Sequence, residues 1–149
     1  MKNIFKSVLA FSLLAFAGVA VAASSYYIFI NTAPTVVGRD VSINDATVTA
    51  TNYVGQFSSY SIAVDWGDGT PPTTLNPLSN YGVTITGNNF SGNWATTGSP
   101  IIHTYAYPGA YLVSSRLYKG NSGSASLAVT YDNVTVVCTP DFPPFYPPC

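Results

Sequence analysis

Asp65-Trp66-Gly67-Asp68-Gly69-Thr70, followed some thirty residues later by His103-Thr104-Tyr105-Ala106-Tyr107-Pro108-Gly109-Ala110-Tyr111, decides how this 149-residue chain is read. In the first stretch two glycines supply backbone angles closed to other residues, and Asp68 can accept hydrogen bonds from its own turn. In the second, Pro108-Gly109 fits a type II turn, proline first and glycine second. The flanks of both stretches alternate. Tyr60, Ile62, Val64 and Trp66 share one face of the segment Ser59 to Trp66, while Ser61, Ala63 and Asp65 take the other. That period of two predicts a half-buried antiparallel strand. Tyr111, Val113, Ser115 and Leu117 repeat it after the second stretch. Working outward, Thr35 to Asn44 and Ala46 to Tyr53 read as two further strands, Ser124 to Val137 as the last, and Val83 to Thr86 as an edge strand. In the last strand the apolar parity changes between Val129/Tyr131 and Val134/Val136, which predicts a β-bulge near Asp132-Asn133.

The paired motifs resemble the two signatures of the PKD domain, a small immunoglobulin-like β-sandwich found on secreted and cell-surface proteins. The resemblance runs from Pro34 to about Val137. It implies an all-β fold, a single immunoglobulin-like (PKD-type) β-sandwich over residues 34–138, with Asp65, Trp66, Gly67, Asp68, Gly69, His103, Tyr105, Pro108, Gly109 and Tyr111 as its structural motif. It also implies that Trp66 lies in the core and that Tyr105 buries its ring and hydrogen-bonds the backbone, in the manner of a tyrosine corner. Modules of this family act as spacers, adhesion units and binding modules. The chain departs from the pattern in two places. The segment between Thr70 and His103 is long, a length usually reserved for functional or disordered loops, and Ser115 stands where the family prefers a larger apolar residue.

Outside the resemblance lie three segments. Residues 1–22 read as a secretory signal peptide: Lys2 and Lys6 precede an apolar run from Val8 to Val21, and Ala20-Val21-Ala22 offers small residues for cleavage. The run is shorter than the roughly 20 apolar residues of a membrane span. Residues 23–33 form an N-terminal arm whose Tyr26-Tyr27-Ile28-Phe29-Ile30 reads as a strand buried on both faces, ended by Asn31-Thr32-Ala33-Pro34. Residues 139–149 are a Pro-rich tail favouring polyproline II. Cys138 and Cys149 are the only cysteines. In an oxidising compartment they form a disulfide, either closing a short loop within the chain or joining two subunits.

Charge is sparse, 7% of residues against about a quarter in an ordinary soluble domain. After the signal peptide three cationic side chains (Arg39, Arg116, Lys119) face six carboxylates (Asp40, Asp45, Asp65, Asp68, Asp132, Asp141), a net of −3 with no glutamate anywhere. With no basic patch, nucleic acid and anionic membrane are disfavoured as partners. Asp65 and Asp68 could serve calcium, which wants six to eight oxygens, but two carboxylates fall short, and no cofactor is expected. His103, the single histidine, lacks the nucleophile–base–orienter set of a catalytic site, so the chain reads as non-enzymatic. Asn89-Phe90-Ser91 and Asn133-Val134-Thr135 are N-glycosylation sequons.

Two functions fit. One is a secreted structural or adhesive protein, a filament or surface-layer subunit in which the Tyr26 to Ile30 arm pairs with a neighbouring copy or another extracellular protein by donor-strand addition. The alternative for the arm itself is to fold back on its own sandwich. The other function is a polysaccharide- or matrix-binding module in which Tyr81, Phe90 and Trp94 stack on sugar rings.

Overall fold

A computed structural model describes residues 22–120 and 123–137. The signal peptide (save Ala22), the Pro-rich tail and the proposed Cys138–Cys149 disulfide lie outside the described residues. Eleven strands follow in order: β1 Ser25–Ile30, β2 Thr35–Val37, β3 Asp40–Ile43, β4 Ala46–Thr51, β5 Tyr60–Asp65, β6 Thr73–Leu75, β7 Thr84–Thr86, β8 Asn89–Ala95, β9 Ile101–Thr104, β10 Gly109–Lys119 and β11 Ser126–Val136. All pairings are antiparallel. The architecture is an all-β, sandwich-like one, with β1-β4-β8-β7 as one sheet, β11-β10-β5-β6 as the other and a small third sheet β2-β3-β9.

The period-two residues build the core. Tyr60, Ile62, Val64 and Trp66 from β5 and its end meet Val113, Leu117, Val134 and Val136 from β10 and β11. Across from them stand Ala46, Val48 and Ala50 of β4 with Phe90 and Trp94 of β8. Strand β5 runs between two aromatic clusters. At one end Tyr60, Tyr53, Phe57 and Phe90 pack with ring centroids 5.2–6.5 Å apart, and at the other lies the Trp66 site. The Tyr60 hydroxyl donates to the Val54 carbonyl at 2.8 Å, accepts the Val54 N–H at 3.2 Å and sits 3.2 Å from the Tyr26 hydroxyl. Burial, with the Tyr26 hydrogen bond, pushes this phenol up to about 12.

Thr35 to Asn44 is not one strand but a hairpin, β2 against β3, because Gly38 turns the chain at φ +61°. Val37 pairs with Asp40, so the loop is two residues with glycine first, the arrangement of a type II′ turn. Strand β5 is not half-buried: Ser61 and Ala63 are covered too. Their paired positions on β10 carry Tyr118 and Arg116, long side chains that shade small neighbours.

The bulge near Asp132-Asn133 is absent. Pairing of β10 with β11 is continuous there and shifts instead at Leu117/Tyr118. The parity change has another cause. Leu127, Val129 and Tyr131 point outward and are exposed, while Val134 and Val136 point into the core.

The segment 71–100 is not a long loop. It holds β6, a 3₁₀ turn at Leu78–Tyr81, β7 and β8. Gly92 lets the segment fold onto itself, since a Cβ there would lie 2.3 Å from the Gly82 carbonyl oxygen. Ser115 is fully buried on β10, and its hydroxyl has no hydrogen-bond partner among the described residues.

Leaving a buried hydroxyl unpartnered costs about 1–3 kcal/mol. Ser115→Ala is therefore expected to raise stability by about 1 kcal/mol in urea unfolding; an unchanged or lower midpoint would show that the hydroxyl is satisfied in solution.

Candidate functional site

The two diagnostic stretches meet at one end of the sandwich. Gly67 and Gly69 turn the chain after β5 with φ +75° and +83°. Asp65 accepts the Gly67 N–H at 3.0 Å, and Asp68 accepts both the Thr70 N–H at 3.1 Å and its hydroxyl at 2.6 Å. The other Asp68 oxygen lies 2.8 Å from Nε2 of His103. The His103 ring stacks on Trp66, with centroids 4.9 Å apart and planes 13° from parallel, and meets the Tyr105 ring edge-on at 4.7 Å. Tyr105, fully buried, donates its hydroxyl to the Trp66 carbonyl at 2.8 Å. Trp66 in turn donates its indole N–H to Thr73 at 2.9 Å. Burial raises the Tyr105 phenol well above its ordinary value, so it stays a neutral donor. For Asp68, burial alone would raise the carboxyl, but the Thr70 and His103 hydrogen bonds outweigh it and hold the group below its usual 3.8.

This geometry makes a clamp. Both carboxylates are engaged inside the turn, and among the described residues no three His, Cys, Asp or Glu side chains gather as a metal site. Gly67 packs its backbone against β10, where a Cβ would come within 2.5 Å of the Leu112 carbonyl oxygen.

The second stretch differs from expectation at Pro108-Gly109. A type II turn needs a positive φ at its second residue, and Gly109 has none. It instead begins β10, paired with Val136. Its missing side chain makes room for the Tyr111 ring, which would lie 3.3 Å from a Cβ. Tyr111 donates its hydroxyl to the Tyr107 carbonyl at 2.8 Å, so a side chain closes the turn.

In the structure the arm folds back on its own sandwich as a paired strand. β1 registers on β4 from Ser25 opposite Thr51 to Ile30 opposite Ala46, and it also packs along β11 of the other sheet. It thus fills the seam where the two sheets approach. Only one face is buried. Ile28 is in the core with Tyr26 and Ile30 against it, whereas Tyr27 and Phe29 are 53% and 49% exposed. An edge strand of a two-layer fold covers alternate residues only.

The aromatics expected to stack on sugars do not form a binding surface. Phe90 and Trp94 are each 1% exposed. Both point inward from β8, Phe90 into the aromatic cluster and Trp94 with its indole N–H on the Thr47 carbonyl at 3.2 Å. Tyr81 is half-buried against the same core. In sequence the stretch reads as a loop because Gly92 interrupts the strand pattern of β8. Asn89 and Asn133 are exposed, each on a regular strand, and the Asn89 side-chain oxygen accepts the Asn52 N–H at 3.1 Å.

Because the folded pKa of Asp68 lies below the ordinary 3.8, its ionised form contributes stability that is present above about pH 4 and lost as pH falls through the folded value. Asp68→Asn is expected to cost roughly 1–3 kcal/mol at pH 7, with the gap to wild type closing below pH 4. Urea unfolding from pH 7 to pH 2 checks this, and parallel curves for the two proteins would refute it. Protein-family models, curated proteins and solved structures give no match to this chain, so the role of the site rests on its own geometry.

Proposed function

We propose that this chain is a secreted, non-enzymatic structural subunit, a PKD-type immunoglobulin-like module that assembles with copies of itself outside the cell by exchanging its N-terminal strand. The observation that carries the reading is the seat of β1. It is the first strand among the described residues, it occupies the seam between β4 and β11, and it delivers Ile28 to the core. Asn31-Thr32-Ala33-Pro34 alone joins it to β2.

A neighbour's β1 entering the same seam would make every contact that the chain's own β1 makes, so exchange changes connectivity without changing the interface. Pro34 favours an extended backbone in the residue before it, which suits a linker that leads the strand away. Such a contact is head-to-tail. It gives a ring if the rotation closes and a filament if it does not. Sparse charge favours close approach of copies, since like-charge repulsion is what keeps most soluble domains apart. The leader-like residues 1–22 fit the extracellular setting.

Ser25 and Thr51 are paired across β1 and β4, their hydroxyl oxygens 2.5 Å apart. The double variant Ser25→Cys/Thr51→Cys, made with Cys138→Ser and Cys149→Ser, links whichever β1 and β4 are neighbours. Assembled protein run on a non-reducing denaturing gel is expected to give a ladder of covalent multimers that reductant collapses. A monomer band alone, from chains that still oxidise fully, would mean that each β1 stays with its own sheet.

A further inference from the structure

The outer face of the sheet β1-β4-β8-β7 is organised in a way that assembly does not use. Register places Tyr27 opposite Thr49 and Thr49 opposite Ser91, and in the next row Phe29 opposite Thr47 and Thr47 opposite Asn93. Each row therefore runs from an aromatic ring to a threonine to a short hydroxyl or amide. Positions within a row lie about 4.8 Å apart and the rows about 7 Å apart, by the spacing of sheets. Tyr27 and Phe29 are about half exposed, and their rings stand nearly parallel, 7° apart in plane with centroids at 6.2 Å. The polar side chains of Thr49, Ser91 and Asn93 make no hydrogen bond among the described residues, while the Thr47 hydroxyl is held by Asn31. Neither row contains an Asp, Glu, His, Lys or Arg side chain. The opposite sheet differs: it carries a cation, Arg116 on β10.

We propose that these two rows bind a neutral polysaccharide, with Tyr27 and Phe29 packing against the C–H faces of sugar rings and Thr49, Ser91 and Asn93 hydrogen-bonding their hydroxyls. A neutral polysaccharide is apolar on its ring faces and rich in donors and acceptors at its edges. The rows present the same division, aromatic at one end and hydroxyl or amide at the other. Uncharged partners on both sides leave no ion to desolvate. A second copy fits less well, because the cores of self-interfaces are more apolar than a row of Thr, Ser and Asn. An anionic glycan finds no cation on this face among the described residues. The inference goes beyond strand exchange and does not depend on it, since Tyr27 and Phe29 stand on the same face whichever copy supplies β1.

Depletion assays test it, with the full secreted chain mixed separately with insoluble cellulose, insoluble chitin and immobilised alginate. Retention on cellulose or chitin is expected, and Tyr27→Ala/Phe29→Ala should weaken it at least about tenfold. Thr49→Lys, which puts a charge in the middle of a row without touching the core, should do the same and covers the case in which the double variant fails to fold. The Ser25→Cys/Thr51→Cys chain, with Cys138→Ser and Cys149→Ser, should bind like wild type whether its disulfide closes within one chain or between two, which separates this inference from assembly. No retention on either neutral glycan, retention on alginate alone, or equal retention by wild type and the folded variants would each overturn it.

Discussion

The hydrogen bond from the Tyr105 hydroxyl to the Trp66 carbonyl, with the His103 ring between the two aromatic side chains, is the constraint on which the rest is built. It joins residues 39 apart in sequence and does so where β5 leaves its sheet. Because Tyr105 is fully buried, that bond forms with little competition from water. The Asp68–His103 contact, 2.8 Å long and mostly shielded, fastens the outside of the same corner. With the corner fixed, β5 and β10 lie side by side in a single register, and β11 and β6 add to their outer edges.

Much of this was legible in residue types. Trp66, Tyr105 and Asp68 could be placed because turns impose sharp demands: glycines at positive φ, a short carboxylate that bonds its own turn, a tyrosine able to reach a backbone carbonyl. The inward faces of β5 and β10 followed from alternation alone. What could not be read depended on neighbours. Nothing in Ser61 or Ala63 announces that Arg116 and Tyr118 will cover them. Nothing in Leu127, Val129 and Tyr131 says that an apolar row will face outward without a bulge. Pro108-Gly109 carried the letters of a type II turn, and the Tyr111 ring claimed the space instead.

The arm shows the same limit most clearly. Five apolar residues in succession are equally consistent with burial on two faces and with an edge strand that shows one face to water, because pattern reports periodicity only where polar residues interrupt it. The partner decides. Against β4, Ile28 enters the core while Tyr27 and Phe29 remain outside. That division gives the strand two separate surfaces, one that completes a fold and one free to meet something else. Phe90 and Trp94 illustrate the converse: their size suggested a platform, but they belong to β8 and serve the interior.

Gly92 has a consequence for strand alignment. Because the Gly82 carbonyl occupies the space where any side chain at position 92 would stand, sliding β8 by one residue would drive Ser91 or Asn93 into that oxygen. A slip of one would also exchange the two faces of the strand. The missing methyl group at this single position therefore selects against every misaligned pairing of β8, and it keeps Phe90 and Trp94 turned inward while the small polar side chains between them stay in water.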